Sequence, residues 1–259
     1  DDFYADWARA NFGPDAGADI AHVFSSVDGR LPVSVAGGCP SGSLKPDPAP
    51  WEKVAAHYAF LSDLEQLRPR VRGAGSLARF DYWLNTFRYH RALHQLRCAL
   101  AHPQPDEIAR LWREVYRLLL ATVNSPGGVA TVVNLENHAE FGPKVVPHIA
   151  APLPKEYAGE PRLIVPCVRS VLKSGEPLRL KAIVLDNARP KSAALYWRPL
   201  GQGEFRRVEL QHVARATYRV ELPAPDADFE YRIEAETADG HELAWPATAP
   251  AMNQTVVVW

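Results

Sequence analysis

Cysteine is scarce in this chain of 259 residues: Cys39, Cys98 and Cys167 stand far apart, odd in number and without C-x-x-C spacing. Neither a disulfide framework nor a zinc knuckle is indicated by that pattern. Excess charge is lacking too. With 29 basic and 30 acidic side chains and a formal charge of −1, no basic field attracts a phosphate backbone, and nucleic acid is not an expected partner. No run approaches the roughly 20 apolar residues of a membrane span, and the first residues lack the basic and apolar regions of a signal peptide. The motifs G-x-G-x-x-G, G-x-x-x-x-G-K-[ST] and G-x-S-x-G do not occur, so a nucleotide cradle and a hydrolase nucleophile elbow have no textual support. No cofactor is called for. The eight alternating strand and helix units of a (β/α)8 barrel are missing as well.

What is present is ample apolar material, 47% of positions against 23% charged, enough for real cores and for two domains. The expected organisation is α+β: an α-helical domain over 1–123, a connecting region over 124–161 and an antiparallel immunoglobulin- or fibronectin-like β-sandwich over 162–259. Phe3, Trp7 and Ala8 recur at helical spacing until Gly13-Pro14 breaks the pattern near Asn11. Asp15 can cap a second helix carrying Ile20, Val23, Phe24 and Val27. Residues 30–50, rich in Pro and Gly, read as a long irregular loop. Three stronger helices are expected over 50–67, 76–101 and 105–123. In the middle one Leu77, Phe80, Leu84, Phe87, Leu93, Leu96 and Leu100 form a stripe that Tyr82, Trp83 and Tyr89 widen, so it should be packed on two sides.

Beyond residue 160 the hydrophobic period changes from 3.6 to 2. Leu178, Leu180, Ala182 and Val184 alternate with Arg179 and Lys181; Tyr218, Val220 and Leu222 alternate with Arg219 and Glu221. Phe229, Tyr231, Ile233 and Ala235 alternate with Glu230, Arg232, Glu234 and Glu236. With further runs over 194–199, 204–210 and 255–259 and turns at Gly201-Gln202-Gly203 and Asp239-Gly240, about seven strands are predicted, the signature of a sandwich.

Three constellations could carry chemistry. Asn134, Glu136, Asn137, His138 and Glu140 gather amide, carboxylate and imidazole groups on a loop, where sites are usually presented. Glu136 with His138 could act as an acid/base pair. Glycoside hydrolysis would further require a second carboxyl roughly 5 to 10 Å away, and a capped helix start with hydrogen-bonded side chains explains the same residues. His90, His94 and Cys98 follow at i, i+4 and i+8 on one helix face, a spacing that metal sites also use. Arg88, Arg91 and Arg97 surround them and oppose a cation, so packed or hydrogen-bonded histidines are expected and no metal. On the strands, Tyr196, Trp245 and Trp259 could stack on pyranose faces at a sheet edge, against the commoner fate of core packing; the outward positions otherwise read as a charged, solvated ladder.

With these residues in view, the segment from Phe3-Tyr4-Ala5-Asp6-Trp7 to Asn11-Phe12-Gly13 resembles the helical segment that follows the catalytic barrel in several bacterial glycoside hydrolases. Phe80-Asp81-Tyr82-Trp83 and Phe87-Arg88-Tyr89 are similar to the aromatic-rich helices of that region. Asp228-Phe229-Glu230-Tyr231-Arg232-Ile233-Glu234-Ala235 with Asp239-Gly240 is similar to a penultimate strand and turn of Ig-like accessory domains. The chain also begins inside a helical pattern without an initiator methionine, as a piece of a longer polypeptide would.

The resemblance implies a non-catalytic C-terminal portion of a secreted or periplasmic carbohydrate-active enzyme. Its catalytic residues would lie upstream, and its partners would be that catalytic domain, a poly- or oligosaccharide, or a second copy of itself. No residue here matches a family catalytic motif. Two rivals remain: a small hydrolase or lyase working through Glu136, His138 and an arginine, which requires those groups to converge, and a carbohydrate-binding or adhesion module, which requires exposed Tyr196, Trp245 or Trp259. An exposed apolar face on the first helix would favour the accessory reading.

Overall fold

The structure is a computed structural model, described here for residues 3–32, 44–134, 154, 156–223 and 225–259. It is α+β, with helices preceding strands along the chain. Two compact units result, one comprising Asp1–Val123 and Gly127–Lys155, the other Asn124–Pro126 and Glu156–Trp259.

The helical unit opens with a hairpin of α1 (Phe3–Phe12) and α2 (Pro14–Val27). The chain reverses at Gly13, whose φ of 85° and ψ of 169° lie in a region that essentially only glycine occupies. Sequence reading expected Asp15 to cap α2. Instead Pro14 occupies the first turn, where its missing N–H costs nothing, and no side-chain cap is made. Ala8, Phe12, Ala16, Ile20, Val23 and Phe24 are buried, the three-and-four spacing of one helix face. At Gly17 the two backbones nearly touch, since a Cβ there would lie 3.0 Å from the Arg9 Cα.

The expected single helix over 50–67 is in fact three pieces: α3 (Trp51–Ala55), a 3₁₀ turn (Ala56–Tyr58) and α4 (Phe60–Leu67). Neither Gly nor Pro marks the break. The tighter turn seats Tyr58, only 3% exposed, against the long helix α5 (Ala74–Ala101), which packs on α1, α3, α4 and α6 (Pro105–Ala121). That many-sided packing accounts for the wide apolar stripe. α7 (Pro126–Asn134) follows.

The second unit contains β1 (Arg162–Ile164), β2 (Val171–Leu172), β3 (Leu178–Leu185), β4 (Ser192–Pro199) and β5 (Arg206–Glu209). It continues with β6 (Gln211–Ala214), β7 (Thr217–Leu222), β8 (Phe229–Glu236), β9 (Glu242–Trp245) and β10 (Gln254–Val258). A four-stranded sheet has the order β1-β3-β7-β6 and is antiparallel throughout. A six-stranded sheet runs β2-β10-β8-β4-β5, with β9 also on β8. Its β2 and β10 pair in parallel, its other pairs antiparallel.

Strand alternation does what the period predicts. Leu178, Leu180, Ala182, Val220 and Leu222 of the first sheet and Leu195, Phe229, Tyr231, Ile233 and Val256 of the second bury into one common core. Each large aliphatic or phenylalanine side chain among them contributes about 1.5–3 kcal/mol relative to exposure. The six-stranded sheet's other face is polar. There Glu230 receives Arg198 Nε at 2.8 Å and Asn253 Nδ2 at 2.7 Å, while the guanidinium of Arg232 lies 5.0 Å from the Tyr196 ring and 4.2 Å from that of Phe205.

Candidate functional site

Two features of the helical unit combine concavity or burial with specific chemistry. The first is a cleft of about 470 Å³ lined by Phe3, Tyr4 and Trp7 of α1, Phe24 of α2, Trp83 of α5, and Leu31 beyond the end of α2. Helical spacing puts Phe3, Tyr4 and Trp7 on one side of α1. Trp7 meets Phe12 edge-on at 5.3 Å and lies 4.9 Å from Phe24; Phe24 and Trp83 are in turn 5.5 Å apart and nearly perpendicular. Edge-to-face and tilted ring contacts of this kind pack the cleft floor. Phe3, by contrast, is 65% exposed. The lining offers one carboxylate, Asp28, and hydrogen bonding to it, followed by burial and its charge, pushes the Tyr4 phenol above its ordinary range.

The second feature is a buried polar cluster where residues 44–50 cross α5. His94 and Cys98 stand one turn apart on α5, and both are buried. Asp47 reaches them from the Pro- and Gly-rich segment over 30–50, whose composition predicts an irregular loop. Several hydrogen bonds fix that segment: Asp47 N–H donates to the Arg97 carbonyl at 3.0 Å, Arg97 Nε to the Lys45 carbonyl at 2.7 Å, and Ala49 N–H to Asp47 Oδ1 at 3.0 Å. Leu44 is fully buried. The imidazole Nε2 of His94 then lies 2.8 Å from Asp47 Oδ2, and its Nδ1 lies 3.4 Å from the Tyr58 hydroxyl, itself 3.4 Å from the His90 carbonyl oxygen.

The electrostatics follow from this geometry. The His94 hydrogen bond, assisted by the Ala49 N–H and by the charge of Arg97, outweighs burial and holds the Asp47 carboxyl below its usual range. Burial, with the charge of Asp47, pushes the Cys98 thiol up, and burial pushes the Tyr58 phenol up to about 12. A protonated thiol is a poor nucleophile, so the cluster as it stands is not arranged for thiolate attack. Burial pushes the neighbouring His90 imidazole down.

Of the residues singled out from sequence, Glu136, Asn137, His138 and Glu140 lie outside the described residues. Asn134 is the last residue of α7, and its side chain also lies outside them. Tyr196 points outward from β4, with Arg232 near its ring and Arg207 Nε 3.2 Å from its hydroxyl. Trp245 packs against the core and stacks on Tyr231 at 5.8 Å. Trp259 is 71% exposed, with the Lys173 ammonium 5.8 Å from its ring centroid. What sequence reasoning missed is Asp47, because apolar periodicity says nothing about where a loop docks.

No family model matches the chain, and no curated protein matches it. Among solved structures it is similar to an endo-beta-1,4-mannanase from Thermotoga petrophila, at 10% identity over 69% of this chain and 44% of that one with a TM-score of 0.30. A second similarity is to the twitchin kinase region from C. elegans, at 12% identity over 79% of this chain and 44% of that one with a TM-score of 0.26. The chain thus spans less than half the length of either structure, and neither likeness carries an argument about its fold or activity.

Proposed function

We propose that this chain is a non-catalytic accessory portion of a carbohydrate-active enzyme, in which the helical unit braces the catalytic domain and the strand-rich unit is an Ig-like sandwich. The observation that supports this reading is the aromatic cleft on α1, where Phe3, Tyr4, Trp7 and Trp83 belong to the segments that carry the sequence resemblance. Its chemistry suits a protein side chain better than a sugar. Sugar hydroxyls need several hydrogen-bonding groups, whereas the cleft offers one carboxylate, Asp28, and its remaining lining is largely aromatic and aliphatic carbon. An apolar side chain from the catalytic domain would bury Phe3 and gain roughly 1–2 kcal/mol from that ring alone.

The test begins with the mass and coding context of the native polypeptide. If a catalytic region lies upstream, that region, produced separately, should bind this chain, and Phe3→Asp should weaken the binding by about tenfold or more. Phe3 is 65% exposed, so the substitution leaves the helical core intact. A native chain that begins near Asp1, or binding indifferent to Phe3→Asp, would overturn the proposal.

A further inference from the structure

Asp47, His94 and Cys98 offer three ligand atoms, a carboxylate oxygen, an imidazole nitrogen and a thiol sulfur, all within 4.8 Å of one another. We infer that they form a zinc-binding site, independent of the accessory role above. Tetrahedral zinc takes thiolate at about 2.3 Å and imidazole or carboxylate at about 2.0–2.2 Å, which sets ligand atoms roughly 3.3–3.7 Å apart. Shifts of about 1 Å bring the three groups to that spacing. Mixed S, N and O donors suit borderline zinc; magnesium and calcium select oxygen alone, and copper(I) prefers soft ligands without a carboxylate.

The surroundings supply what a coordinated histidine requires. Metal-bound imidazoles almost always use the second ring nitrogen for an outer hydrogen bond. Tyr58 stands ready for both states. Without the ion, Nε2 carries the proton toward Asp47 and Nδ1 accepts from the Tyr58 O–H. With the ion on Nε2, that proton sits on Nδ1 and is donated to the Tyr58 oxygen, whose own O–H turns to the His90 carbonyl 3.4 Å away. Moving the ring proton from Nε2 to Nδ1 frees Nε2 for the ion, and the Cys98 thiol releases its proton to solvent as the Zn–S bond forms.

Charge balances as well. Thiolate and carboxylate neutralise the dication. Arg97, 3.8 Å from Asp47, opposes the ion, while Glu52, whose charge reaches Cys98, favours it. Arg97 also anchors the loop through the Lys45 carbonyl at 2.7 Å, so the opposing charge is the same group that places Asp47. Cys98 lines a surface cavity of about 410 Å³ together with Glu52, His102 and Glu107, giving the ion an entry path and room for a water as a further ligand.

The experiment uses Co²⁺ as a spectroscopic stand-in, in a Cys39→Ser, Cys167→Ser background that leaves Cys98 as the sole thiol. One Co²⁺ per chain should bind with a thiolate-to-cobalt charge-transfer band, and Zn²⁺ should displace it. Cys98→Ser should abolish the band, Asp47→Asn should lower affinity by about tenfold or more, and Tyr58→Phe should lower it by about tenfold as an outer partner. Circular dichroism checks that each variant folds. If Asp47→Asn fails to fold, the band in the parent and its loss in Cys98→Ser still decide. A folded parent without the band, or a band that survives Cys98→Ser, would overturn the site.

Discussion

Replacing Glu230 with alanine removes an acceptor on which three segments of the strand-rich unit converge. Its Oε1 receives Arg198 Nε from β4 at 2.8 Å and approaches the Gly201 N–H of the following turn at 3.4 Å, while Oε2 receives Asn253 Nδ2 from just before β10 at 2.7 Å. The Glu230 side chain is 12% exposed and that of Arg198 30%. Hydrogen bonds to a charged group contribute about 1.5–3 kcal/mol each, and partial exposure of Arg198 screens its share. Together they set the cost of Glu230→Ala at roughly 2–3 kcal/mol. At about 4–8 °C per kcal/mol for a domain of roughly 100 residues, the strand unit's Tm should fall by about 10–20 °C.

Calorimetry of the whole chain, with the strand transition assigned by circular dichroism, measures that shift. Acid provides an internal control. Burial pushes the Glu230 carboxyl up, but the hydrogen bonds from Asn253, Arg198 and Gly201 outweigh it and hold it below the usual range. A depressed carboxyl stabilises fully above its unfolded pKa of about 4.3, and the contribution is lost as pH falls through the folded value. The gap between parent and Glu230→Gln should therefore be widest near neutrality and close in acid. A Glu230→Ala protein within about 0.5 kcal/mol of the parent, the usual range of inert surface changes, would refute the reasoning.

In the helical unit, Gly13→Ala should cost about 1–3 kcal/mol because its backbone lies where alanine is strained, read as a lower urea midpoint. Gly17→Ala should also destabilise, since its Cβ would press on the Arg9 backbone, and a crystal structure of the variant should show α1 displaced from α2; unchanged helix spacing with unchanged stability would contradict that packing. Asp47→Ala strands the buried His94 ring without its 2.8 Å partner and should cost about 1–3 kcal/mol, with amide hydrogen exchange accelerated at residues 45–49. Iodoacetamide should modify exposed Cys167 well before buried Cys98, since burial also pushes the Cys98 thiol up. Mass mapping of the labelled peptides reads the order directly.

Legibility in the sequence tracked the length and regularity of each element. β8 alternates buried and half-buried without error from Phe229 to Glu236, and the wide stripe on α5, read as packed on two sides, meets α1, α3, α4 and α6. β1, β2, β6 and β9 have four residues or fewer, too short for period 2 to be distinguished from chance. The break between α3 and α4 was invisible because Ala56-His57-Tyr58 carries no breaker; the burial of Tyr58 against α5 is a tertiary contact. The same holds for the polar cluster. His94 and Cys98 were legible as a helical pair, but Asp47 arrives from 47 residues upstream through a loop whose docking rests on backbone hydrogen bonds, which leave no mark in composition.

The arginine and aromatic side chains on the six-stranded sheet have a consequence for how the molecule behaves in concentrated solution. Arg198 and Arg232 lie 4.4 and 4.2 Å from the Phe205 ring, and Arg232 extends to Tyr196. Guanidinium planes packed on ring faces leave a hydrated, charged exterior over carbon that would otherwise form a continuous sticky patch. Removing Arg232 would thus change more than one unit of charge: it would thin the cover over two neighbouring rings at once, leaving Arg198 alone on Phe205 and Arg207 on Tyr196, and the loss should register first as self-association and reduced solubility.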